Sequence, residues 1–340
     1  MRGGETMRRS FAVLFFLIAL LRPEFVSAEV DVIKIPRGAG GVGFLPLLVM
    51  EQKGLVEQKA RELGVANLRA DWLKLGGPAL VNDLLLSGAA DIVVAGPPAF
   101  LTLWDRTREN IKVKGVAAMT SIPMYLNTKA AHLKSIRDLT PTDKIALTAV
   151  KVSIPAIIMQ MAAIKDFGPA EFARYDKYTV GLTHPDALIA LMSGRADITA
   201  HFASPPFHQR ERKSPDVRTI LTSNDVMGGP STFTMLYTTS KFHDANPKVY
   251  AAFLKALEAA IASINADKRA AAQTFLDMEG QGMKLDEVLE VLSDPDIRYT
   301  TSPESLMKYA EFMARVGTLK AKPATWQEMF FPAIHAVPGG

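Results

Sequence analysis

Short apolar runs and longer amphipathic stretches alternate along this chain, with turn residues between them. Val30 to Ile35 reads as a first strand. Pro36-Arg37-Gly38-Ala39-Gly40-Gly41-Val42-Gly43 is a glycine-rich turn into a helical run from Phe44 to Lys53, and Leu68 to Leu75 reads as the second strand. Ile122 to Asn127 and Asp143 to Val150 read as strands too. Thr219 to Ser223 and Ser231 to Thr238 read as strands returning toward the first half, with Asn224 to Pro230 as a flexible link. From Asn246-Pro247 onward the pattern turns helical, with Tyr250, Phe253, Leu254, Leu257, Ile261 and Ile264 recurring at three- and four-residue spacing as a core stripe. Ser302-Pro303 starts another helix with Leu306, Tyr309, Ala310 and Met313 on one face, and Trp326 to Phe331 docks as a last anchor. Strand, loop and helix in alternation predict an α/β protein.

Within that alternation one motif occurs twice. Gly76-Gly77-Pro78-Ala79-Leu80 runs to Leu86-Ser87-Gly88-Ala89-Ala90-Asp91-Ile92, and Thr183-His184-Pro185-Asp186-Ala187-Leu188 runs to Met192-Ser193-Gly194-Arg195-Ala196-Asp197-Ile198. Pro78 and Pro185 stand where a helix begins and lack only an N–H that would be unpaired there. Gly88 and Gly194 end those helices, because glycine reaches the left-handed closing conformation. The apolar runs Ile92 to Ala95 and Ile198 to Ala200 then read as buried parallel strands. Each copy is followed by a second turn, Gly96-Pro97-Pro98-Ala99-Phe100 and Ser204-Pro205-Pro206-Phe207. Two similar α/β lobes follow from this duplication. Helix N-termini would lie at strand ends, the edge where open α/β sheets bind ligands and where free N–H groups favour anions.

The chain is 340 residues long and 48% hydrophobic, enough for two domains with full cores. Arg2, Arg8 and Arg9, the apolar run Phe11 to Leu21, and Val26-Ser27-Ala28 predict a cleaved signal peptide over residues 1 to 28. The apolar run is about half the ~20 residues of a membrane span. Arg8-Arg9 leaves both the general secretory and the twin-arginine route open. With no cysteine there is no disulfide framework, cysteine-bound zinc or lipid-modified cysteine, which predicts a free protein of the periplasm. Removing the signal takes four arginines and two glutamates, and lowers the formal charge from +4 by two. No basic stripe remains, so nucleic acid is excluded as a partner.

Several local patterns resemble the periplasmic substrate-binding proteins of ABC importers for nitrate, taurine, alkanesulfonates and thiamine-pyrimidine precursors. They are Gly43-Phe44-Leu45-Pro46-Leu47 with Gln52-Lys53-Gly54-Leu55-Val56-Glu57, the Gly76 to Leu80 helix start, and Ser87-Gly88-Ala89-Ala90-Asp91-Ile92 before Gly96-Pro97-Pro98. The second half adds Ile136-Arg137-Asp138-Leu139, Leu191 to Ile198 and Ser204-Pro205-Pro206-Phe207. The resemblance implies a two-lobed type II periplasmic-binding-protein fold, with two doubly wound lobes joined by a two-crossing hinge. On that scheme residues 29–121 form the first part of lobe I, 122–224 lobe II, and 225–340 the rest of lobe I with the C-terminal helices. Two segments depart from the pattern: Lys151-Val152-Ser153-Ile154-Pro155 replaces a Gly/Ser-rich loop, and His201-Phe202-Ala203-Ser204 lacks the acidic residue often found before Pro-Phe.

The fold so implied collects Gly41, Gly43 and Phe44, then Gly76, Gly77 and Pro78, Gly96 and Pro97, Thr120 and Ser121, Lys151 and Ser153, and His201 and Ser204 in one cleft. Backbone N–H groups and hydroxyls dominate that set and suit a sulfonate or carboxylate head, while Phe44 and Phe202 would cover an apolar body. Lys151 is the natural counter-charge, and His201 a hydrogen-bonding group. His201 and His208 lack metal-ligand spacing, so neither a metal nor a cofactor is expected. No Gly-x-Ser-x-Gly elbow or catalytic cluster is present, and no catalytic residue is assigned. The leading function is capture of a small solute for an ABC permease with its ATPase, by a monomer. An enzyme resembling thiamine-pyrimidine synthases and an exported ligand sensor are the alternatives.

Overall fold

The structure, a computed structural model, describes residues 28–38, 40–74, 80–194, 198–280 and 282–340. The expected signal peptide up to Ser27, the site candidates Gly76, Gly77 and Pro78, and Arg195 to Asp197 of the second motif copy lie outside the described residues.

Lobe I is built on β1 (Val32–Pro36), β2 (Arg69–Leu73), β3 (Ile92–Ala95), β4 (Val113–Ser121), β10 (Thr232–Thr239) and β11 (Arg298–Tyr299). β1 and β2 pair in parallel, and the other four form a sheet in the order β11-β4-β10-β3. Asp91 brings β3 beside β1: its N–H donates to Lys34 O at 2.9 Å, and its carboxylate accepts from Lys34 N at 2.8 Å. All four residues of β3 are buried, as expected, but the strand pairs with β10 in antiparallel fashion where the sequence pattern predicts a parallel strand, because a continuous apolar run reports burial on both faces and not strand direction. Helices α1 (Leu45–Gln52), α2 (Leu55–Glu62), α3 (Val81–Ser87) and α4 (Pro97–Thr107) belong to this lobe.

Lobe II has one sheet of β5 (Tyr125–Thr128), β6 (Ile145–Leu147), β7 (Thr179–Gly181), β8 (Ala200–Ala203) and β9 (Arg218–Thr222), ordered β7-β6-β8-β5-β9. β6 runs parallel to β7 and β8, while β5 is antiparallel to β8 and β9. Its helices are α5 (Ile154–Phe167), α6 (His184–Ser193) and α7 (Phe207–Arg212). The duplicated grammar is visible in three dimensions: Gly88 ends α3 at φ 73°, and Gly194 ends α6 at φ 62°. Pro185 sits in the first turn of α6, and the second turn signals start α4 and α7.

Two crossings join the lobes. Ile122-Pro123-Met124 links β4 to β5, and α8 (Ser223–Met227) with Gly228 to Pro230 links β9 to β10. They are tied to each other, since Ser223 N donates to Met124 O and Met124 N to Ser223 Oγ, both at 2.9 Å. Two segments differ from what their sequence predicts. The strand expected to return toward lobe I stays in lobe II as β9, paired with β5. The link expected to be flexible contains a capped helical turn: Asp225 N donates to Thr222 Oγ1 at 3.1 Å, and Thr222 N donates back to Asp225 Oδ2 at 3.2 Å.

Beyond β10, α9 (Ser240–Ala245), α10 (Pro247–Ala266), α11 (Lys268–Met278), α12 (Leu285–Ser293) and α13 (Leu306–Arg315) complete lobe I. α10 is long and apolar enough to cross a membrane, but 56% of its apolar window is buried inside the protein. Its Tyr250, Phe253, Leu257, Ile261 and Ile264 are buried on the stripe expected from their spacing.

Candidate functional site

Between the lobes lies a cavity of about 540 Å3. Lobe I contributes Phe44, the first turn of α3 with Asn82 and Asp83, the end of β3, the start of α4 from Gly96, and Phe233 and Thr234 of β10. Lobe II contributes Thr148 and Ala149 after β6, Val152 to Pro155 into α5, Thr183 to Pro185 into α6, and Ser204 after β8; Met124 comes from the hinge. The lining is mainly apolar. The lobes touch across it: a Cβ on Gly96 would lie 2.7 Å from Ile154 Cδ1, and one on Gly41 would lie 3.3 Å from Pro205 O. Lys213 of lobe II also pairs with Glu287 of lobe I. The conformation is therefore closed.

Hydrogen bonds decide which polar lining groups remain available. Asn82 is used on both sides, accepting from Tyr237 Oη at 2.7 Å and donating to Ala99 O at 3.2 Å. Thr102 donates to Pro98 O at 2.8 Å, Ser153 to Ala149 O at 2.5 Å, and Thr234 to Gly43 O at 3.0 Å. Thr183 caps α6 and donates to Asp186 Oδ2 at 2.6 Å. The lining groups left without a protein hydrogen bond, among the described residues, include the hydroxyls of Thr148 and Ser204 and the Nε2 of His184. All three are on lobe II, opposite Phe44, Val94 and Phe233 on lobe I. Such a cavity suits a solute with a compact polar head and an apolar body. Its lining charges, Asp83 and Arg106, are both on exposed residues.

Of the residues expected in the cleft, Phe44, Gly96, Ser153 and Ser204 line it. Others stand one layer behind. Thr120 is buried 2.5 Å from the hydroxyl of Thr234, and Ser121 donates to Ser231 O at 3.0 Å. Gly43 packs against Phe233, and Gly41 against Pro205 and Phe207. Pro97 is buried inside the first turn of α4. With Pro98 after it, that turn lacks two N–H groups, so α4 offers fewer anion donors than a helix start ordinarily would. Lys151 does not line the cavity: it is exposed, in a left-handed turn at φ 67°. Phe202 is wholly buried in β8 and covers nothing in the cavity.

His201 likewise stands behind the wall, and in front of it is His184, which sequence reasoning passed over. His184 Nδ1 lies 2.8 Å from His201 Nε2, and its ring stacks on Phe207 with centroids 5.3 Å apart. His201 Nδ1 lies 2.5 Å from Glu211 Oε1, with both side chains essentially inaccessible. Asn127 donates to Glu211 Oε2 at 2.7 Å and accepts from Thr219 Oγ1 at 2.7 Å. Burial, and then the neighbouring His201, hold His184 well below the usual histidine range. Among the described residues, no group of three or more His, Cys, Asp or Glu is placed to hold a metal.

No family model matches the chain, and no curated protein matches it by sequence. Solved structures do. The alkanesulfonate-binding protein SsuA from Xanthomonas axonopodis pv. citri, bound to MOPS, superposes at TM-score 0.67 with 15% identity, over 87% of this chain and 96% of that one. The periplasmic nitrate-binding protein NrtA from Synechocystis PCC 6803 gives 0.68 with 15% identity, over 88% and 85%. The periplasmic aliphatic sulphonate binding protein SsuA from Escherichia coli gives 0.65 with 13% identity, over 89% and 92%. The type II periplasmic-binding fold expected from the sequence is therefore the fold of this chain.

Proposed function

We propose that this protein is a solute-binding protein that captures a small organic solute with an anionic, sulfonate- or carboxylate-like head between its lobes and delivers it to an ABC permease. The observation that carries the reading is the closed, largely apolar cavity shared by two lobes on a double-crossing hinge. A solute that touches both walls stabilises the closed form over the open one by the free energy of the interactions it makes only there. The structural neighbours that bind alkanesulfonates and nitrate support the same reading. The signal-like N-terminus supports export to the periplasm, where a monomer would meet its permease and that permease's ATPase.

The His184–His201–Glu211 chain also has the form of a general-base relay, which is the one feature favouring an enzyme on this fold. A thermal-shift screen of residues 29 to 340 against sulfonates, nitrate, pyrimidines and aromatic carboxylates tests capture. Ligand at ~100 times its dissociation constant should stabilise the protein by about 2.7 kcal/mol. No shift in any class would count against the reading. Turnover of a bound compound would replace capture with catalysis.

A further inference from the structure

His184 meets the cavity on one side and a buried proton chain on the other. Its Nδ1 contacts His201 Nε2 at 2.8 Å, and His201 Nδ1 contacts Glu211 Oε1 at 2.5 Å. Each of these two hydrogen bonds contains one proton, whichever partner owns it. Only a third proton, on His184 Nε2, is undecided. Summing the formal charges of two imidazoles and one carboxylate, the unit with two protons carries one net negative charge and leaves Nε2 bare. With three protons it is neutral, and Nε2 is an N–H donor.

The surroundings favour three. His201 and Glu211 are 1% and 0% exposed, and an uncompensated buried charge is costly. Asn127 already uses its amide on Glu211 and Thr219, so it brings the carboxylate no compensating charge. On α7, His208 offers its Nδ1 to Asn127 at 3.1 Å, and burial followed by the Arg212 charge pulls its pKa down to about 4, so it is neutral. The other ionisable groups on neighbouring elements are Arg210 and Arg212 on α7, Tyr125 on β5, Asp186 on α6 itself, and Asp83 and Arg106 in the cavity lining.

We infer that His184 is a ligand-contacting residue that offers the solute an N–H at Nε2, kept in that sense by His201 and Glu211 as positioning residues. The site then takes a solute with an anionic or carbonyl oxygen at that point, beside an apolar body. This inference rests on the capture reading and narrows it to one atom. A permanently anionic sulfonate selects the three-proton form, so its binding weakens as pH rises and that form is lost, by up to about tenfold per pH unit.

The test is long-range proton–nitrogen NMR of the histidine rings, with His184 assigned through His184→Gln, combined with titration of ethanesulfonate, which does not itself ionise over the range. The free protein should show His184 protonated at Nε2 and bare at Nδ1, and ethanesulfonate should move that N–H signal. His184→Leu should weaken ethanesulfonate roughly tenfold or more, and His184→Gln, which retains an N–H, should weaken it less. Glu211→Gln can donate to His201 while accepting from Asn127, which leaves Nε2 an N–H without a carboxylate in the chain, so it should abolish the pH dependence of ethanesulfonate binding. A bare Nε2 in the free protein, or binding that leaves His184 unmoved and survives His184→Leu, overturns the inference while the capture reading stands. If neither ethanesulfonate nor any compound of the wider screen binds, both fall.

Discussion

Gly96 allows the sharpest test of closure, because the space it leaves is filled by the opposite lobe. A Cβ there would lie 2.7 Å from Cδ1 and 2.9 Å from Cγ1 of Ile154. The backbone, at φ −76° and ψ 161°, is one that alanine adopts freely, so Gly96→Ala should leave each lobe intact and act on the closed form alone. Overpacking that cannot relax costs about 1–3 kcal/mol, but Ile154 can turn its δ-methyl aside for about 0.5–1.5 kcal/mol. We expect closure to lose about 1 kcal/mol, which appears as roughly fivefold weaker solute binding. The unliganded melting temperature should hold or rise slightly, since alanine removes freedom from the unfolded chain. Calorimetric titration of wild type, Gly96→Ala, Ile154→Ala and the double variant gives the coupling. Truncating Ile154 removes the obstacle, so the double variant should bind better than the two single losses add up to. Strict additivity, or full affinity in Gly96→Ala, would refute the cross-lobe contact.

Other perturbations read separate parts of the structure. Gly38 has φ 94°, and a Cβ there would lie 2.0 Å from the ring of Phe44. Gly38→Ala should therefore cost more than the about 1–2 kcal/mol of a left-handed residue and disturb the cavity floor, read by urea unfolding and by solute titration. Thr222→Ala removes the cap of α8 and should cost about 1 kcal/mol there, visible as faster amide exchange at Asp225 to Met227. His208 has a folded pKa of about 4, below its unfolded value, so the unfolded chain takes up the proton first as pH falls. Stability should be full above about pH 6.5 and decline toward pH 4 by roughly 2–3 kcal/mol at most, the ring keeping some solvent contact. Denaturant midpoints against pH should show that limb, and His208→Gln should flatten it.

Punctuation carried the fold. The all-buried Ile92 to Ala95 run, the proline opening α6, and the glycines closing α3 and α6 are local signals that tertiary packing did not overturn. The hinge was less legible because Thr222 and Asp225 form a capping box across what reads as a turn-rich link. Of the cleft, the residues at helix starts, Gly96 and Ser153, were legible from the same punctuation. Lys151 was attractive as a charge after a strand, but the backbone there turns left-handed and leaves it exposed. His184 was hidden for a different reason: its partners His201 and Glu211 are 17 and 27 positions away in the numbering, and only the packing of α6, β8 and α7 brings them together. A histidine at the start of the second motif copy and another just past its end were the available clue.

On the proposed function, a small solute bridges the two lobes and holds them closed. Small-angle scattering of the protein with and without the compound giving the largest thermal shift tests it most directly. A smaller radius of gyration on saturation and one solute bound per chain are expected. Saturable binding with no compaction, and with the free protein as open as before, would contradict it.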